Sequence, residues 1–433
     1  MLMTATHADD TEEIMSYSEQ MLTALENGDM NQARELFIQV IAHDDDETKY
    51  NLAQELYALG FTGQAQRLYE ALLGKYPDQD DIRAVLADIA VSNGDADKAL
   101  NYLAQVPETS DAYVQALMTA ADVYQTQGLY EVSAQKLLEA KHLAPDEPVI
   151  TFALGELYFD WGKDSQAALA YSELIQAGVD TIANVSVKAR YGATLANLGQ
   201  YEDAVAVYEE LGEALDFNST FTLGGLYLQL KDYPRAIEKL SAVIEEDETY
   251  ASAYLPLAQA QAADHQPQAA LETVQAGVQV DDTNPDLYGL GADLALKAAD
   301  YALARTYLNK ARAIDPENQA LMLAWSNLLL ATEEDADNIA FLEAIDQSGD
   351  VDPQIYWNLA KSYDRLDNVA KARENYLLAF GSFADSPDFL HDIIDFFQST
   401  AALPELKAAL TRYVALVPDD TEMQARLDDL NAQ

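Results

Sequence analysis

The stretch Pro148–Asp180 reads P-V-I-T-F-A-L-G-E-L-Y-F-D-W-G-K-D-S-Q-A-A-L-A-Y-S-E-L-I-Q-A-G-V-D. Leu154 and Tyr158 are four residues apart and share one helix face. Ala167, Tyr171 and Leu174 follow at spacings of four and three, so they share a face of a second helix. Gly162 falls between the two, where a tight turn needs a residue without Cβ. Gly155 and Ala167 are small enough to let the helices approach closely, and larger residues fill the space beside that contact. One hairpin of this kind cannot bury both of its faces, so it needs like neighbours on each side.

Those neighbours are present. With Leu154 as the seventh position, repeat starts fall at Ile14, Asp46, Asp80, Val114, Pro148, Val185, Phe217, Ala251, Pro285, Gln319, Pro353 and Pro387; eight of the eleven intervals are 34 residues, the others 32, 37 and 32. The second repeat carries Leu52, Ala53, Gly60, Ala65 and Tyr69, and the eleventh Tyr356, Leu359, Ala360, Tyr363, Ala372 and Tyr376. The tenth departs most: Trp325, Leu329 and Leu342 keep the pattern, but residues 333–337 replace the turn and Asn338 the packing alanine. Nine of thirteen prolines lie at junctions between repeats, where helices stop or start. Pro256 falls inside an expected helix and should bend or shorten it.

The Leu-Gly…Tyr…Gly…Ala…Tyr pattern at this period resembles the tetratricopeptide repeat. The resemblance extends to all-repeat cytosolic proteins of Gram-positive bacteria. It implies an all-α fold, a right-handed α-solenoid of about twelve helix–turn–helix repeats, more than half helical and without sheet. The expected organisation is a frayed N-terminus at 1–13, a continuous superhelix over 14–418 with soft joints near 177–184 and 333–338, and a capping helix at 419–433. In that last helix Thr421 and Gln424 form a capping-box pattern, and Met423, Leu427 and Leu430 make one apolar stripe.

Composition narrows the function. Asp and Glu number 74 against 25 Lys and Arg, a net charge of −49, which repels nucleic acid and anionic membrane surfaces and attracts basic partners. There is no cysteine, so disulfides, thiolate metal sites and cysteine nucleophiles are excluded. No stretch reaches the apolar length of a membrane span and residues 1–13 do not read as a secretory signal, so a soluble, cytoplasmic protein is expected. The five histidines are scattered without metal-ligand spacing, and Gly224-Gly225 lies within an expected helix rather than a phosphate loop. The acidic runs 44–47 and 245–248 read as solvated turns. No catalytic constellation, cofactor or metal is expected.

Function then falls to the concave groove that first helices line in this family, at repeat positions 2, 5, 6, 9, 12 and 13. Phe152, Phe221 and Trp357 stand at position 5, Phe159 at position 12, and Asp88, Asp122 and Glu156 at position 9 of three successive repeats. Such a surface suits an extended basic and apolar peptide, unless the aromatics pack between helices and the acids form a solvated row. Some family members hold acidic chaperone tails in a clamp of Lys, Asn and Arg. Asn327 and Asn358 match its asparagines, but Leu323, Asp388 and Asp392 stand where its bases belong, so the charge is reversed. The expectation is a non-enzymatic adaptor for a protein or peptide. A chaperone-like holder of unfolded chains and a regulator binding a signalling peptide are the alternatives.

Overall fold

A computed structural model describes residues 15–345 and 352–432. The chain forms two compact units, Met1–Leu211 and Gly212–Gln433, and each is an α-solenoid of six helix–turn–helix repeats. Paired helices in the first unit are Tyr17–Glu26 with Met30–His43, Asp46–Ala58 with Thr62–Lys75, and Asp80–Ser92 with Ala96–Leu103. Tyr113–Thr126 with Tyr130–Leu143, Pro148–Asp160 with Asp164–Gln176, and Val187–Asn197 with Tyr201–Leu211 complete it. The second unit pairs Phe217–Gln229 with Tyr233–Glu246, Tyr254–Ala263 with Pro267–Val280, and Pro285–Lys297 with Tyr301–Ile314. Gln319–Ala331 with Asp335–Glu343, Pro353–Arg365 with Val369–Phe383, and Pro387–Ser399 with Leu403–Leu416 follow, and then the single helix Thr421–Ala432.

Each pair closes as the organising stretch requires. Ala167 and Tyr171 are fully buried, and a Cβ on Gly155 would stand 2.7 Å from the Tyr171 ring. The turn at Gly162 has φ +70°, with the Lys163 amide donating to the Tyr158 carbonyl at 2.7 Å and the Gly162 amide to the Phe159 carbonyl at 3.0 Å. This is the Schellman pattern that ends a helix through one left-handed residue. The next residue often caps the second helix: Asp29, Asp95, Asp232, Asp300 and Asn368 each accept a backbone N–H there.

The structure corrects some expectations and adds detail to others. The longer connection after the fifth repeat is not bare coil: Thr181–Ile182 and Val185–Ser186 form a small antiparallel ladder, so the fold is not free of sheet. Ala183 and Asn184 turn it at φ +48° and +65°, the geometry of a two-residue hairpin, while Ile182 and Val185 pack against the fifth-repeat core. Pro256 does shorten its helix: Ala251–Ala253 is a 3-10 turn and the α-helix starts only at Tyr254, so Pro256 lies in its first turn. The last helix is capped by Asp420, not Thr421; its carboxylate accepts the Glu422 and Met423 amides and the Tyr413 hydroxyl. The acidic run 44–47 is tied into structure. Asp44 accepts from Ser18, Asp45 caps the following helix, and Asp46 pairs with Lys75. Asn338 is buried and donates to Ser362 Oγ at 2.9 Å, which donates to the buried Asp335 at 2.9 Å, so the irregular tenth repeat holds a polar network in place of the alanine contact. The expectation for 1–13 lies outside the described residues.

Candidate functional site

First helices of neighbouring repeats lie side by side, and one contact between them recurs. The ninth position of one repeat meets the sixth of the next. Thr119 Oγ1 donates to Asp88 Oδ1 at 3.4 Å, Asn358 Nδ2 donates to Asn327 Oδ1 at 2.9 Å, and Lys361 Nζ lies 2.9 Å from Asp392 Oδ2. Across the longer fifth connection Arg190 Nη2 lies 2.9 Å from Glu156 Oε2. In this slot opposite Asp122 the sequence supplies Ala153, which has no polar side-chain atom. Asp122 has no hydrogen-bond or ion-pair partner among the described residues.

The row Asp88, Asp122, Glu156 is therefore chemically uneven. Glu156 is committed: besides Arg190 it accepts the Tyr171 hydroxyl at 2.6 Å. Burial, and then the hydrogen bond to Glu156, push that hydroxyl's pKa up. Asp88 is half-buried, and desolvation raises its carboxyl above the ordinary carboxylate value despite the Thr119 hydroxyl. Asp122 is exposed, yet partial desolvation among the neighbouring helices raises it too, and the Asp88 charge adds to the effect. The Asp88 charge also raises the nearby Tyr57 hydroxyl, after burial. Tyr57, Asp88, Thr119 and Asp122 thus form one electrostatic neighbourhood across repeats two to four.

The aromatic residues mostly pack inward. Phe152 is 8% exposed and meets the Tyr171 ring edge-on at 6.1 Å. Phe221 does the same with Tyr250 at 5.2 Å. Trp357 packs against Phe383 and Phe389, and its Nε1 donates to Asp392 Oδ2 at 2.9 Å. Phe159 is half-buried beneath the Arg190 guanidinium, 5.7 Å from its ring centre. Asn358 is buried and bridges the tenth and eleventh repeats, donating to Ser326 Oγ and Asn327 Oδ1 and accepting from Gln354. Lys361 is held by Asp392 and Arg365 by the Leu330 carbonyl, so both bases near the clamp asparagines are engaged.

Sequence reasoning missed Arg190 and Thr119. The signal was available: both occupy the sixth position one repeat after an acid at the ninth. Among the described residues no group of three His, Asp or Glu could hold a metal ion, and no helix is long and apolar enough to cross a membrane.

Comparison with known proteins agrees with the repeat frame. A profile described as YpiA-like, tetratricopeptide repeats, matches residues 125–179, and one described as YpiA-like, C-terminal tetratricopeptide repeats, matches 353–420. General tetratricopeptide profiles match 56–121, 227–294 and 192–251. Among solved structures, the APC/C hetero-tetramer Cut9–Hcn1 is similar at TM-score 0.46 and 12% identity over 96% of both chains. YrrB, described as a TPR protein with an unusual peptide-binding site, scores 0.40 at 16% identity, covering 44% of this chain and 98% of that one. The TPR repeat-containing protein YpiA of Bacillus subtilis is 34% identical over 373 residues, 84% of this chain and 87% of that protein. With that identity sustained over nearly the whole relative, the chain belongs to the YpiA-like tetratricopeptide-repeat family.

Proposed function

We propose that this protein is a cytoplasmic, non-enzymatic adaptor whose first-helix face around Asp88 and Asp122 holds a basic, partly apolar segment of a partner protein. Tetratricopeptide proteins are generally protein-interaction scaffolds. The observation that carries the reading is geometric: Asp122 is an exposed acid without a hydrogen-bond or ion-pair partner among the described residues, beside the half-buried Asp88. Two neighbouring carboxylates that repel each other are stabilised by an incoming cation. Lys or Arg from a partner would fill the slot that Ala153 leaves empty of polar atoms. Phe152, Phe221, Trp357 and Asn358 serve the stacking of repeats in this reading. Phe159 and the Glu156–Arg190 pair bound the site at one end.

The linkage has a definite sign. Burial favours the uncharged carboxyls, so their contribution to stability is present below the ordinary value of 3.8 and is lost as pH rises through the raised folded values. A bound cation reverses this by favouring the ionised forms, so binding releases protons and weakens on acidification through that same window. A labelled peptide of Lys and Leu should bind the wild type, more weakly at high salt. Asp88→Asn with Asp122→Asn should lower its affinity about tenfold, from two partly screened pairs, and flatten the pH dependence. Unchanged affinity in the double variant, with helicity intact, would sink the proposal.

A further inference from the structure

A second surface has the opposite chemistry. Helix Met30–His43 buries Ala33, Phe37 and Val40 against its own repeat. On a neighbouring face it carries Met30, Arg34, Ile38 and Ile41 at spacings of four, four and three, which align on a helix. Met30, Ile38 and Ile41 are 54%, 62% and 48% exposed, so this helix is apolar over a wider arc than its own hairpin covers. Beside that row, between it and helix Thr62–Lys75, runs a cleft of about 440 Å³ lined by Leu25, Met30, Phe37 and Phe61, with Arg34 and Arg67. A space of that size is in the range that takes ligand side chains.

The two arginines set the polarity. Many of this chain's few bases are tied to carboxylates, such as Lys75 to Asp46, Lys98 to Glu70 and Arg190 to Glu156. Arg34 and Arg67 are exposed and have no carboxylate partner among the described residues, in a chain with 74 acids. A guanidinium presents a planar fork of donors that fits a carboxylate with two parallel hydrogen bonds. Two such forks beside an apolar cleft fit a segment that carries Leu, Met or Phe anchors together with Asp or Glu. A phosphate backbone lacks the apolar anchors and meets the full charge of −49.

We propose that this cleft, on the second helices of the first two repeats, docks an acidic, apolar segment of a partner protein through Arg34 and Arg67. The site is separate from the Asp88–Asp122 face and does not depend on it. Its salt dependence runs the other way. At low ionic strength the whole-chain charge of −49 repels an acidic segment. As the Debye length shrinks to about 8 Å that repulsion is screened, while the contacts at the two arginines persist. Affinity therefore rises between low and physiological salt.

The test uses the full chain and a short labelled peptide of Leu, Phe and Glu, free of Lys and Arg, read by fluorescence anisotropy. Saturable binding should strengthen from low to physiological salt. Arg34→Gln with Arg67→Gln should lower affinity by about tenfold or more, at the strength of charge-assisted hydrogen bonds. A peptide with Gln for Glu should lose a similar factor at physiological salt. Both arginines are exposed, so circular dichroism should match the wild type. Absent binding, equal binding by the double arginine variant, or affinity that falls with salt would each overturn the proposal. So would self-association of the chain that the arginine variant abolishes while the peptide fails to bind, because the occupant would then be a second copy.

Discussion

The fifteenth residue of every repeat takes a left-handed conformation. In the first unit it is always glycine: Gly28, Gly60, Gly94, Gly128, Gly162 and Gly199, with φ from +70° to +82°. In the second unit it never is: Lys231, His265, Ala299, Glu333, Asp367 and Ala401 hold the same place at φ +55° to +60°. The backbone hydrogen bonds are alike; the Asp300 amide donates to the Ala295 carbonyl at 2.8 Å as Lys163 does to Tyr158 at 2.7 Å. A side chain there brings Cβ close to the following carbonyl oxygen, a penalty of about 1–2 kcal/mol that glycine avoids. Glycine in turn loses more freedom on folding. The balance predicts that Ala299→Gly or Ala401→Gly stabilises by about 0.5–1 kcal/mol in urea titration. Gly94→Ala should destabilise by a similar amount, and an opposite sign at these sites would remove the strain argument.

At the scale of the element, periodicity alone placed the helices. Eight of the twelve expected starts coincide with the first residue of an α-helix, because the turn, the small-residue contact and the proline all agree on the same phase. Agreement was lost where the chain uses a device that the period does not encode. The Ala183–Asn184 hairpin and the 3-10 turn at Ala251–Ala253 are of that kind. The candidate site was less legible than the fold. Position within a repeat placed Phe152 and Asn358 on the first helices, but it did not tell which face residues the next repeat covers. That required pairing the ninth position of one repeat with the sixth of the next. The helix contact itself is testable. Ala167 is fully buried in the fifth hairpin, with Tyr171 one turn further along its helix, so Ala167→Leu should destabilise by about 1–3 kcal/mol through overpacking. A change below about 0.3 kcal/mol in a denaturation midpoint analysis would place the contact elsewhere.

At the scale of the whole molecule, charge is the dominant unbalanced quantity. Several ion pairs join adjacent repeats, among them Lys141 with Glu173, Arg373 with Glu405 and Lys371 with Glu343. With 25 bases for 74 acids, most acids have no base to meet. Many serve as helix caps, where a carboxylate gains from the N-terminal amides and needs no cation. The remainder repel one another, and self-repulsion of this kind weakens the compact state. Sodium chloride should therefore raise the melting temperature from low to physiological salt. A screened repulsion of about 1 kcal/mol per unit corresponds to about 2–4 °C. Melting that is flat or falls with salt would show that cross-repeat pairs offset or outweigh the repulsion.

The change of turn residue at the junction of the two units has a temporal consequence. A solenoid can nucleate at any group of neighbouring hairpins and grows by adding the next, so the hairpins that close most easily set where growth begins. Closing a hairpin through glycine demands no left-handed side chain, whereas each hairpin after Leu211 must form one before stacking rewards it. Nucleation is thereby directed to the amino-terminal half, the half the ribosome delivers first. Pulse-labelled hydrogen exchange during refolding should protect amides of 15–211 ahead of those of 212–345 and 352–432. Simultaneous protection of both would mean that the turns do not set the order.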